Sequence, residues 1–156
     1  MFPTDEHADR PNKYKKYLSS FKIDGLTFPL DPKQIPKFEE LNPHITVHVQ
    51  CYNVDNEIVP LVTSKNIRQK NKIINLFLLS EEKTEITDGK PTIVRKDHYT
   101  WVKDLGKLYY AQTRHNGKIY VCANCLHRYY KEHALKNHQA DCMMHKPVKI
   151  TFLVIK

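Results

Sequence analysis

Four side chains near the end of the chain restrict its folding more than anything else in it: Cys122, Cys125, His138 and Cys142. They stand in the order Cys-x2-Cys-x12-His-x3-Cys. A two-residue gap lets both thiols of a tight knuckle turn inward on one point. His138 and Cys142 are one helical turn apart, so both face the same side. Such a donor set suits zinc, which takes nitrogen and sulfur ligands tetrahedrally. A segment this short has too little core to stay folded without its metal. All four ligands are protein atoms, which leaves no position for a reactive water and argues against zinc catalysis. A rival set would use His145 or His133 in place of Cys142 or His138. His133 lies five residues before His138, on another face of the helix, and His145 requires the helix to end early. Cys51 falls in a strand-like run and reads as a core cysteine.

The framework around these ligands is equally regular. Tyr120 stands two residues before Cys122, Tyr129 four after Cys125, and Leu135 three before His138. At these positions and the four ligands, the segment 120–142 resembles the CCHH zinc finger family, with Cys for its last His and Tyr for Phe. The resemblance implies a ββα-type finger over 118–146 whose helix contacts DNA bases from positions −1, 3 and 6. Counted back from His138 as the seventh helical residue, these are Lys131, Ala134 and Asn137, with His133 beside them. Lys131 would bind guanine and Asn137 adenine; Arg128 and Lys136 would add phosphate contacts. A single finger offers little contact area, and isolated fingers also serve as buttresses or protein docks. A protein partner is therefore the alternative to nucleic acid.

Charge favours the nucleic acid. The formal net charge is +8. Residues 114–149 hold Arg114, Lys118, Arg128, Lys131, Lys136, Lys146 and Lys149 against only Glu132 and Asp141. A basic half suits a polyanionic partner, with DNA preferred to RNA. Other classes find no support. With four glycines the chain has no Gly-rich phosphate loop,. The apolar runs IINLFLL and ITFLVI are far shorter than the roughly 20 residues of a membrane-crossing helix, so no membrane partner is expected. The opening MFPTDEHADRPNKYKK lacks the apolar core of a secretory signal. Clustered cysteines fit an intracellular, reducing compartment, and a DNA partner would place the protein in the nucleus.

The rest of the chain reads as an α+β domain over 12–117. A polar tail (1–11) precedes it, and a C-terminal strand (147–156) follows the finger. NKYKKYLSSF suggests a short helix, and KFEELN one helical turn. HITVHVQCYNV alternates, with Ile45, Val47, Val49 and Cys51 on a buried face and Thr46, His48, Gln50 and Tyr52 on the other,. IVPLVT follows a turn and reads as an edge strand because of Pro60. KIINLFLLS is apolar enough for a central strand. EEKTEITDGKP reads as a charged loop, with TIVRK beside it as a candidate hairpin partner. DHYTWVK reads as a further strand with Tyr99 and Trp101 on its core face, and LGKLYYAQ as a short helix. The expected fold is a mainly antiparallel sheet with short helices, then the finger.

The order IDGLTFPLDPKQIPKFEELNPHITVHV, IVPL, KIINLFLLS and DHYTWVKDLGKLY, running into the finger, resembles one further family. It is similar to the region preceding the catalytic core in the protein-primed family B DNA polymerases of Polinton or Maverick-type transposons. Those proteins continue into exonuclease and polymerase domains with acidic metal-binding motifs, which this sequence lacks. What the resemblance then implies is a non-catalytic accessory region, or a fragment of a larger protein, with no small-molecule substrate expected. A small nuclease is the remaining enzymatic reading. Its only candidates are Asp97, His98 and His115, which form no second ligand cluster.

Overall fold

The computed structural model describes residues 12, 14–66, 72–87, 90–114, 116–142 and 144–145. The expected tail 1–11, the expected C-terminal strand 147–156 and His115 lie outside the described residues.

The β-branched run at 45–52 forms strand β1 (Ile45–Tyr52), the organising strand of the fold. A turn at 53–57 reverses the chain. The Asn53 side-chain oxygen accepts the N–H groups of Asp55 and Glu57, and Asn56 takes the left-handed conformation that Asn tolerates,. Strand β2 (Ile58–Val62) returns antiparallel on one edge of β1 and, as Pro60 predicts, forms the edge of the sheet. The chain leaves β2 beside the start of β1. Its next pass along β1's other side must therefore run parallel. Strand β3 (Lys72–Thr87) does so, from Ile45 opposite Lys72 to Cys51 opposite Leu78. Strand β4 (Lys90–Trp101) then pairs antiparallel with β3. The four-stranded order is β2-β1-β3-β4, mainly antiparallel with one parallel pair at its centre.

The sequence reading differs from this fold in three places. Residues 81–87 are strand rather than loop, and they pair with the TIVRK segment as the hairpin alternative expects. They extend β3 into a long hairpin with β4, closing at Thr87 opposite Lys90. Charged residues and threonines dominate there and Ile86 and Ile93 stay exposed, so no apolar alternation marks the strand, and the backbone ladder carries it. Surface ion pairs accompany it, among them Lys96 with Glu85 at 3.5 Å and Arg95 with Asp97 at 2.9 Å. Trp101 is not core: it is exposed, with the Lys103 ammonium over its ring. Tyr99 does pack inward, and its hydroxyl donates to the Leu30 carbonyl at 3.0 Å.

The third difference concerns β1, which is buried on both faces. On the odd face, Ile45, Val47 and Val49 pack with Leu78 and with Ile35 of helix α1 (Ile35–Leu41). Buried Asn42, just after α1, ties down the preceding segment by bonding the Lys22 N–H and carbonyl. Before β2 joins β1, the Glu39 carboxylate accepts the Val47 N–H, and burial raises its pKa. On the even face, Thr46, His48 and Gln50 are 0% exposed, where alternation expected solvent. Their face is covered because the later chain folds back over it. Helix α2 (Leu105–Tyr110) builds a second core there, in which Leu105 and Tyr109 meet Ile58 and Phe77, joined by Val121 and Leu126.

His48 makes this burial testable. Its Nδ1 accepts the Ser64 N–H at 3.2 Å. Burial lowers its pKa to about 4, outweighing the Ala123 backbone, which favours the protonated ring. The folded state thus holds His48 neutral while the unfolded chain takes up a proton below the ordinary value of about 6.5. Its contribution to stability is complete above that pH and is lost as pH falls towards 4, by an amount on the order of 3 kcal/mol. Urea unfolding of wild type and His48→Phe across this window checks it. The variant is expected to show the flatter pH dependence, and equal slopes would assign the acid loss to other groups.

Candidate metal centre

The ligand segment builds a ββα element. Strands β5 (Tyr120–Val121) and β6 (Arg128–Tyr129) form a minimal antiparallel pair, with Tyr120 opposite Tyr129. Between them the knuckle closes through Cys122 N–H to the His127 carbonyl at 2.9 Å and Leu126 N–H to the Cys122 carbonyl at 2.8 Å. Leu126 takes a positive φ of 61° to make that turn. Helix α3 (Glu132–Cys142) follows. Its one-turn spacing presents His138 and Cys142 to the two knuckle cysteines.

The four donor atoms of Cys122, Cys125, His138 and Cys142 lie within 4.8 Å of one another. Cys122 Sγ and Cys142 Sγ are 3.9 Å apart, and Cys125 Sγ and His138 Nε2 are 3.2 Å apart. A tetrahedral zinc with ordinary bond lengths would set sulfur–sulfur edges of about 3.8 Å and sulfur–nitrogen edges of about 3.6 Å. The residues therefore fit such an ion. Burial, with the neighbouring Cys122 charge, pushes the Cys125 thiol up to about 12, and burial also raises Cys142. Thiols so disfavoured as anions become good ligands only beside a cation.

The rival ligands do not join this group. His133 and His145 are both exposed, and Cys51 packs at the odd-face core as expected. Of the predicted framework, Tyr129 meets the ligands. The Tyr129 ring lies 5.0 Å from the His138 ring and forms part of the miniature core around it. His127, not singled out by the sequence, lies 4.9 Å from Tyr129.

Asn124 is the main residue that sequence reasoning missed. It is 2% exposed at the centre of the knuckle. Its Nδ2 donates to the Cys142 carbonyl at 2.7 Å and lies 3.0 Å from Cys142 Sγ. Through these bonds it fixes the end of α3 and would stabilise a ligating thiolate. Between two ligand cysteines an Asn reads as an ordinary turn residue, so its spacing carried no signal. Partners that orient metal ligands typically carry 10–100-fold of metal affinity. Asn124→Leu is expected to weaken metal binding by about that factor, measured by chelator competition. An unchanged affinity would reduce Asn124 to a packing role.

The predicted nucleic-acid residues fall into two groups. Lys131, His133, Lys136 and Asn137 are exposed, on or just before α3. Lys136 also pairs with Glu132 one turn earlier, at 2.8 Å. Arg128 is half-buried instead, its guanidinium 4.6 Å from the centre of the Tyr109 ring. That contact joins the ββα element to α2. Among the described residues no helix is long and apolar enough to cross a membrane. No family model matches the chain, and no curated protein or solved structure matches it significantly.

Proposed function

We propose that the chain is a non-catalytic, zinc-containing module that binds nucleic acid, DNA in preference to RNA, through the outer surface of α3. Zinc held by Cys122, Cys125, His138 and Cys142 would supply structure rather than chemistry, since four protein ligands leave no position for a reacting water. The observation that carries the nucleic-acid reading is the exposure of Lys131, His133, Lys136 and Asn137 together. The excess of basic residues over 114–149 supports it,. So does the resemblance to the region preceding the catalytic core of transposon polymerases, which suggests an accessory role and a nuclear location.

Binding of this kind is mainly electrostatic. Affinity should fall with salt by a logarithmic slope of about −0.9 per phosphate contacted on duplex DNA. Lys131→Ala with Lys136→Ala is expected to flatten that slope by up to about two units, while Asn137→Ala alters sequence preference and leaves the slope alone. Arg128 is omitted from the test because its loss would disturb Tyr109 as well. Fluorescence anisotropy on duplex DNA, single-stranded DNA and RNA at several salt concentrations measures all three arms. One zinc per chain by elemental analysis is the companion requirement.

A second reading rests on the sheet edge. Among the described strands β2 pairs only with β1, and Leu61 on it is exposed. Such an edge can accept a strand from a protein partner. No nucleic-acid binding at low salt would favour this reading.

A further inference from the structure

The long ribbon of β3 and β4 carries apolar side chains away from both cores. β1 accompanies β3 only as far as Cys51 opposite Leu78. Beyond that point, among the described strands, β3 and β4 run on as a pair. Register sets Ile86 opposite Pro91 and Thr84 opposite Ile93, on the face where Leu78 and Tyr99 pack with Ile35,. Ile86 is 79% exposed there and Ile93 69%. Trp101, at the other end of β4, lies on the same face and is exposed too.

The outer edge of β4 restricts what can cover these side chains. Among the described strands β4 pairs only with β3. Just past its end the Val102 N–H donates to the Asn75 carbonyl. In an unbroken antiparallel ladder, the even-numbered residues of β4 therefore turn their backbone groups to β3 and the odd-numbered ones turn theirs outward,. Pro91, with no N–H to offer, closes that outward row near the ribbon tip. A second β4 laid antiparallel about a two-fold axis meets outward residues with outward residues only if the axis passes through a residue. Centred on Lys96, Arg95 faces Asp97 of the second copy, Ile93 faces Tyr99 and Pro91 faces Trp101. Opposite charges, and a β-branched residue against an aromatic ring, are favourable cross-strand pairs. Centred one residue earlier or later, Arg95 or Asp97 would face its own like charge. Lys96 does face itself in the chosen register, but on the other face, where Glu85 of its own chain lies 3.5 Å from its ammonium.

We propose that the chain pairs with a second copy of itself along β4, joining two four-stranded sheets into one about a two-fold axis at Lys96. Charge selects this partner. Residues 81–97 hold four basic and five acidic side chains, whereas the whole chain carries +8. The ribbon is thus where a second basic copy meets least repulsion, and it is a poor match for a phosphate backbone. The rows of the joined sheet also close the exposed patch. Ile86 and Pro91 run on into Trp101 and Leu76 of the second copy, and Thr84 and Ile93 into its Tyr99 and Leu78. The ribbon tip of each copy borders the core face of the other. β2 offers no equal edge, being five residues long with Pro60 at its middle,.

Sedimentation equilibrium of the zinc-loaded full chain, without nucleic acid, tests this separately from the proposed binding function. Wild type is expected to approach twice the chain mass as its concentration rises. Ile93→Lys changes an exposed position, and symmetry removes two Ile93–Tyr99 pairs at once. It is expected to weaken association by about tenfold, with zinc content unchanged. Lys96→Cys reads the register. A residue on the axis lies beside itself at a non-hydrogen-bonded site, where a Cα separation of about 4.5 Å admits a disulfide. In a glutathione redox buffer Lys96→Cys is expected to cross-link two copies, while Val94→Cys and His98→Cys stay single. A wild type still monomeric at about 1 mM overturns the proposal. So does a dimer indifferent to Ile93→Lys, or stronger cross-linking at 94 or 98 than at 96.

Discussion

Cys125→Ser is expected to destabilise the central sheet as well as the ββα element. The variant loses a thiolate ligand. Structural zinc in isolated fingers is worth about 10–16 kcal/mol of apparent binding energy, and without it such elements unfold. Here the loss would not stop at residue 118. Val121 and Leu126 pack against the cluster of Ile58, Phe77, Leu105 and Tyr109. Arg128 covers the Tyr109 ring, and the knuckle backbone at Ala123 meets His48. Releasing the element would strip these partners from the even face and wet three buried polar side chains of β1. Removing two apolar side chains from a core costs roughly 2–5 kcal/mol each, an upper bound here because the exposed cluster can partly collapse. Set against a total of about 5–15 kcal/mol for a domain of this kind, that is a large share. Hydrogen exchange of the 45–50 amides, in wild type and variant, reads the outcome directly. Lost protection there, together with lost zinc, is the expected result. Full protection of β1 in a zinc-free variant would instead establish 12–117 and 118–146 as independent units, the division that the sequence suggests.

That division shows where sequence reasoning has its reach. The Cys3His cluster was legible because ligand spacing is a local property: a knuckle and one helical turn suffice to aim four donors at one point. The strands at 45–52, 58–62 and 72–80 were legible for a similar reason, since β-branched alternation and Pro60 report on their own neighbourhoods. What lies on the second face of β1 is not local. Thr46, His48 and Gln50 alternate with apolar residues just as solvent-facing residues do, and only the return of the chain some 60–75 residues later covers them. The parallel placement of β3 is hidden likewise. It follows from which edge of β1 the chain takes after β2, a choice that no residue type announces. In the long hairpin the backbone ladder overrides a composition that reads as loop. Asn124 acts through a carbonyl and a sulfur 18 residues away, so its role appears only once α3 is in place.

Gly106→Ala should lower stability, although the generic expectation has the opposite sign. Inside an exposed helix, replacing Gly with Ala gains about 1 kcal/mol through helix propensity. Gly106 lies in α2, one residue before Lys107, whose N–H is accepted by the capping Asp104. It is buried, and an added Cβ would stand 2.1 Å from the Ile119 carbonyl oxygen and 3.1 Å from Asp104 Oδ1. The first of these is backbone, which cannot swing aside as a flexible side chain would. Either α2 or the approach to β5 must shift, and each carries part of the shared core: Leu105 and Tyr109 on one side, Val121 on the other. Overpacking of this kind costs about 1–3 kcal/mol and exceeds the propensity gain. The net loss, up to about 2 kcal/mol, corresponds to a fall of up to roughly 4–8 °C in Tm for a chain of this size. Thermal unfolding of the zinc-loaded protein measures it. The sign alone is decisive. If α2 and the ββα element did not pack closely, the alanine would stabilise α2 and raise Tm. A lowered Tm with zinc still bound would instead locate the cost at the Gly106–Ile119 contact between α2 and the approach to β5.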